Sequence, residues 1–180
     1  SHPKEHDSPP DKPSLATMAA LTLALPLSLG LSLASPGAQA ATGTDSCTTL
    51  TGTVLTGTPG DDVLEGTPGS DVIHGLGGND VINGSGGADV VDGGGGRDTV
   101  TGGGGDDCLK GGSGHDHVDG DKGDDTLHGN RGNDSLYGGK GHDTIFSGFD
   151  DDTIVGGLGN DLVNAGSGIY VGSTDEDSVN

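Results

Sequence analysis

From residue 64 to residue 163 an aliphatic side chain returns at every ninth position, and nearly everything between is glycine or polar. The series is Leu64, Ile73, Ile82, Val91, Val100, Leu109, Val118, Leu127, Leu136, Ile145, Ile154 and Val163. Two residues before each stands an aspartate: Asp62, Asp71, Asp80, Asp89, Asp98, Asp107, Asp116, Asp125, Asp134, Asp143, Asp152 and Asp161. Framed from Gly57 to Asn164, the chain divides into twelve consecutive nine-residue units without an insertion, with aspartate sixth and the aliphatic eighth in all twelve. The first and fourth positions are glycine in eleven; the unit SGFDDDTIV has Ser147 and Asp150 there instead. A short period kept in phase over this length marks a solenoid in which each unit stacks on its neighbours.

The last three residues of each unit, such as Val81-Ile82-Asn83, predict a short strand whose central side chain points inward and whose flanks point out. Polar residues at the flanks, among them Glu65, His74, Asn83, Asp92, Thr99, Thr101, Lys110 and His117, agree with this. Val63, Val72, Val81 and Val90 depart from it and cluster near the start of the array. Glycine at the first, fourth and often the second position is expected to supply backbone angles closed to other residues and to let the chain approach an ion. Successive backbone dipoles in such a turn make a concave ion site.

A carboxylate has two oxygens, so in a stack of turns one can face an ion above and the other an ion below. With turn carbonyls this builds an all-oxygen site of six or more ligands, which suits Ca²⁺ better than the smaller, octahedral Mg²⁺. Soft metals would require Cys or His, which the invariant positions lack. The pattern G-G-x-G-x-D-x-aliphatic-x resembles that of RTX (repeats-in-toxin) proteins, a calcium-binding repeat family. The resemblance covers residues 57–164. It implies an all-β fold, a parallel β-roll or two-sheet β-solenoid, with two nonapeptides per turn and calcium in rows along both edges. Twelve units then make about six turns with up to ten interior Ca²⁺ sites, and all twelve aspartates named above are candidate metal ligands.

Composition sharpens the choice of partner. The chain has 180 residues, 39 Gly, 28 Asp and Glu, 7 Lys and Arg, and a formal charge of −21. Such an acidic field repels nucleic acid and anionic membranes and attracts cations. One aliphatic per nine residues is a thin core, glycine-rich backbone is costly to order, and empty rows of aspartates repel one another. These features predict a metal-free chain that is disordered and a calcium-loaded chain that folds cooperatively.

The flanks differ from the array. Residues 15–34 carry no charge and lead to Ala38-Gln39-Ala40, a small-x-small cleavage pattern. A membrane span is the alternative, since about 20 apolar residues can cross a bilayer; Pro26, Gly30 and the cleavage pattern favour a secretory signal over residues 1–40, cut after Ala40. Membrane association is expected only if that run is retained. The exported chain would keep 25 acidic and 5 basic residues, a charge of −20 that ten Ca²⁺ would balance. Residues 41–56 form a linker and cap, with Leu55 at the aliphatic position and Thr53 where aspartate belongs. Residues 165–180 form a second cap and a loose acidic tail, with Tyr170 expected at the aspartate position. RTX proteins exported in one step generally carry a C-terminal signal; the tail TDEDSVN has no hydrophobic end, so the N-terminal run is assigned the export role.

Other motifs weigh less. His115-Asp116-His117 puts two imidazoles at variable positions, a weak transition-metal signal. Cys108 sits at an outward seventh position, and a bridge to Cys47 requires the segment before Thr48 to fold back, because disulfide Cα atoms lie within about 7 Å. An intermolecular bond or a free thiol is as compatible. The sequons at Asn83 and Asn133 fall on the repeat phase. No Ser/His/Asp constellation or His-Glu-x-x-His motif appears, so the chain is expected not to be an enzyme. The reading that results is a secreted calcium-binding protein with a structural, adhesive or calcium-responsive role. An accessory module of an extracellular enzyme is the alternative, and an ice-binding solenoid ranks last because the fifth positions form no ladder of like residues. No protein partner is assigned.

Overall fold

The computed structural model describes residues 52–166, 168–170, 178 and 179. The expected signal region, its cleavage point and Cys47 lie outside these residues. The strands are β1 (Thr53–Thr56), β2 (Val63–Glu65), β3 (Asp71–His74), β4 (Val81–Asn83), β5 (Val90–Gly95), β6 (Thr99–Gly104), β7 (Cys108–Ser113) and β8 (His117–Lys122). They continue as β9 (Thr126–Arg131), β10 (Ser135–Lys140), β11 (Thr144–Phe149), β12 (Thr153–Leu158), β13 (Leu162–Asn164), β14 (Ile169–Tyr170) and β15 (Ser178–Val179). Odd-numbered strands form one eight-stranded sheet and even-numbered strands a seven-stranded one. Every pairing is parallel, as expected when two nonapeptides complete one turn of a two-sheet solenoid. Among the described residues no helix is long and apolar enough to cross a membrane.

The eighth positions stack in register, Ile73 on Val91 on Leu109 in one sheet and Ile82 on Val100 on Val118 in the other. Eleven of these aliphatics, from Ile73 to Val163, form one fully buried core, with Leu55, Leu64, Ala165 and Tyr170 packed against it. Most strands are six residues long, running from the seventh position of one unit to the third of the next. They exceed the three residues expected because the glycine segment itself stays laddered, Gly94 beside Gly112 and Gly95 beside Ser113. The alternation therefore continues past the aliphatic: sixth, eighth and first positions face in, while seventh and ninth lie on the outer side.

The solenoid has more levels than six turns because flanking segments add strands at both ends. At the N-terminal end Thr53 pairs with Asp71 and Leu55 with Ile73, so residues 53–56 hold the repeat phase expected of the cap. At the C-terminal end the phase shifts. Tyr170 pairs with Ile154, an eighth-position residue, so it closes the core instead of standing where aspartate would. The loop before it is two residues short, and Ile169 takes the seventh position by donating its N–H to Asp152 O at 2.8 Å. The tail is not wholly loose either, since Ser178 and Val179 pair with Leu162 and Val163. Cys108 departs from the outward placement expected, being buried and 6% exposed; among the bonding states left open for it, it is held in a disulfide.

Two glycines in one turn test this packing. A Cβ on Gly102 would run into the carboxylate of Asp107, whereas a Cβ on Gly104 meets nothing within 4 Å. Calorimetry in the presence of calcium is expected to show Gly102→Ala losing more than about 2 kcal/mol, in the range of overpacked cores, with Gly104→Ala close to neutral.

Candidate metal-binding edges

The sixth-position aspartates are placed by the strand that follows each of them. Because they precede the inward aliphatic by two residues, the same alternation turns them inward, and all but Asp62 are at most 3% exposed. They form one row along each edge, Asp71 through Asp161 beside the eight-stranded sheet and Asp62 through Asp152 beside the other. The structure thus brings the twelve predicted residues together as two rows.

Within a row each carboxylate has two distinct oxygens. Oδ1 accepts a hydrogen bond from the backbone N–H of the aspartate one turn earlier, as from Asp80 to Asp98 at 2.9 Å and from Asp107 to Asp125 at 2.8 Å. Ten such bonds run along the two rows, each within its own row. Oδ1 is thus engaged by the protein itself, which ties each turn to the next. Oδ2 differs. In Asp80, Asp89, Asp98, Asp107, Asp116, Asp125, Asp134, Asp143 and Asp152 it is buried without a hydrogen-bond partner. A buried acceptor left unmatched is costly, more so when charged.

The first-position glycine explains where Oδ2 sits. A Cβ on Gly75 would overlap both Asp80 Oδ2 and the carbonyl oxygen of Gly93 in the next turn, and the same pair of oxygens crowds Gly84, Gly120 and Gly138. Of the two roles expected of glycine, close approach applies at this first position and the left-handed angle does not. The left-handed angle belongs to the second and fourth positions, which is why Leu76 (φ 81°) and Asp150 (φ 79°) adopt it despite their side chains. A carboxylate oxygen and backbone carbonyls converging without a proton donor fit a hard cation. Among the described residues no three His, Cys, Asp or Glu side chains cluster, so such an ion would draw on backbone carbonyls as well as aspartate. The His-Asp-His triplet is not a site of that kind: His115 Nδ1 accepts from the N–H of Asn133 at 3.0 Å, and His117 packs against Tyr137.

A second ladder went unrecognised in the sequence. Fifth-position side chains accept from the N–H of the fifth residue one turn later, Asp61 from Asn79, Asn79 from Arg97 and Asp124 from His142. Asn133, His142, Ser70 and Asp106 do the same. The signal was present: ten of the twelve fifth positions carry a short acceptor-bearing side chain, the exceptions being Ala88 and Arg97. Variety of residue type hid a shared hydrogen-bonding role.

Burial raises the pKa of seven of the row carboxyls. Desolvation pushes Asp89, Asp116 and Asp125 up to about 6, and Asp107, Asp134 and Asp143 up to about 7. Asp98 is raised for the same reason. Neighbouring aspartates add to the rise, while the backbone N–H bond opposes it. These groups hold their protons to higher pH in the folded state than in the unfolded chain, so the metal-free fold binds more protons between about pH 4 and 7. Its stability is then greatest below the unfolded value and is lost as pH rises through the folded values. In chelator, the β signal in circular dichroism is expected to be larger at pH 5 than at pH 8; an equal or larger signal at pH 8 would show that the rows carry no such penalty.

A comparison with curated proteins finds no match. The family profile described as the RTX calcium-binding nonapeptide repeat (4 copies) matches the chain in six overlapping segments, 56–91, 83–118, 92–127, 111–145, 119–154 and 137–171. Together these span the whole array and its C-terminal closure, well over half of the chain, and the chain belongs to the RTX calcium-binding nonapeptide repeat family.

Proposed function

We propose that this calcium-binding repeat protein is exported and that its array folds upon Ca²⁺, giving a rod with a structural, adhesive or calcium-responsive role outside the cell. The observation that supports this most is the pair of rows of buried Oδ2 atoms without a hydrogen-bond partner. Bound Ca²⁺ would supply positive charge to these oxygens. Aspartates of the rows would hold it together with carbonyls of the glycine turns, Oδ1 meanwhile tying one turn to the next. Export rests on the apolar run 15–34 and the Ala38-Gln39-Ala40 pattern. A non-enzymatic role rests on the assignment of residues 57–164 to the repeat.

Linkage between metal and folding makes the proposal measurable, because ligand that binds only the folded state stabilises it by mass action. Far-UV circular dichroism of the full chain is expected to change from coil to β as Ca²⁺ replaces chelator, cooperatively and without a comparable response to Mg²⁺. A coil signal that persists at 10 mM Ca²⁺, on the order of ten times the extracellular level expected of weak sites, would remove the proposal.

A further inference from the structure

The twelve aspartates are alike in sequence but not in surroundings, and the first two on the array stand apart. In units 57–65 and 66–74 the turn reads Gly-Thr-Pro-Gly where later units have a glycine-rich or polar second and third position. Thr58 donates to Asp62 Oδ2 from its backbone N–H at 2.5 Å and from its hydroxyl at 3.0 Å. Thr67 does the same to Asp71 Oδ2, at 2.5 and 3.0 Å. These are the oxygens that stand buried and unmatched from Asp80 through Asp152.

Two further observations point the same way. The turn backbone differs: the second and fourth positions are left-handed in units such as 75–83 (Leu76, Gly78) and 93–101 (Gly94, Gly96), whereas Thr58, Gly60, Thr67 and Gly69 are not. The threonine hydroxyls also accept from Gly60 N–H at 3.3 Å and Gly69 N–H at 3.2 Å, closing each turn on itself. The carboxylate of Asp71 receives additional hydrogen bonds from Thr53, the residue that stands in the aspartate position of the preceding cap. Hydrogen bonds from Thr67 hold the Asp71 carboxyl below its ordinary range, opposite to the shift of Asp89, Asp107, Asp125 and Asp143 in the same row.

We infer that the first turn is a metal-independent N-terminal cap, in which Thr58 and Thr67 satisfy Asp62 and Asp71 in place of Ca²⁺, so that calcium binding begins at Asp80. The inference rests on the proposed calcium rows and narrows them. Threonine suits the task because one residue supplies two donors, hydroxyl and N–H, to a single carboxylate oxygen. Proline at the third position fixes φ and removes a donor that the turn does not use. A solenoid whose interior turns need an ion also needs an end that is complete without one.

Equilibrium dialysis of the full chain against radioactive Ca²⁺ at physiological salt tests this. The double variant Asp62→Asn/Asp71→Asn is expected to bind as many ions as the unaltered chain, while Asp98→Asn/Asp107→Asn binds fewer, by about two. A loss from the first variant equal to that from the second overturns the inference. Should the first variant fail to fold in calcium, the count on the unaltered chain decides: eight ions or fewer supports the cap, and nine or ten overturns it. An unaltered chain that takes up no calcium at all would instead overturn the calcium rows themselves.

Discussion

The fold is governed by the burial of one carboxylate per level along each of its two edges. Parallel stacking repeats the level about every 4.8 Å, so each row places like charges at that spacing. At an effective dielectric near 20 a pair so placed repels by on the order of 3 kcal/mol. Each level contributes one aliphatic per sheet, worth about 2 kcal/mol when buried. Repulsion within the rows is thus comparable with the whole hydrophobic gain, and the solenoid requires either protons or cations along its edges. The raised carboxyl pKa values of Asp107, Asp134 and Asp143 express the same constraint from the proton side.

The remaining features follow from keeping those rows in place. Oδ1 is bonded to the preceding turn, which orients the carboxylate and leaves Oδ2 aimed at the first-position glycine of its own unit. That glycine cannot carry a side chain in most turns without displacing oxygen. Where Ser147 replaces it, the hydroxyl is buried and donates to Ala165 O at 2.8 Å. The outer ladder of fifth-position acceptors ties the turns together a second time, in the opposite direction along the stack. At the ends the ion-dependent pattern gives way: threonines complete the first turn, and Tyr170 closes the core after a shortened loop at the last.

Most of this was legible because strict periodicity turns each position into a repeated measurement of its environment. Twelve aspartates and twelve aliphatics two residues apart dictate the inward face, and the stacked register of Ile73, Val91 and Leu109 follows from the unit length alone. What was not legible depended on small differences in geometry. Tyr170 was placed by counting nines, and the count fails where the loop drops two residues. Thr58 and Thr67 read as ordinary turn residues, since the sequence does not reveal that their donors reach the same oxygen a cation would. Fifth-position side chains looked variable because Asp, Asn, Ser and His differ in name while each offers an acceptor at short reach. The burial of Cys108 was invisible for another reason: its ladder position is outward, and repeat phase says nothing of what lies over the sheet.

Anomalous scattering at a wavelength sensitive to calcium, from crystals of the full chain grown in Ca²⁺, tests the central claim most directly. Two rows of peaks are predicted, one along each edge, beside the Oδ2 atoms of the sixth-position aspartates and spaced by about 4.8 Å per level. Peaks confined to outward carboxylates such as Asp92 and Asp119, with none along the buried rows, would contradict it.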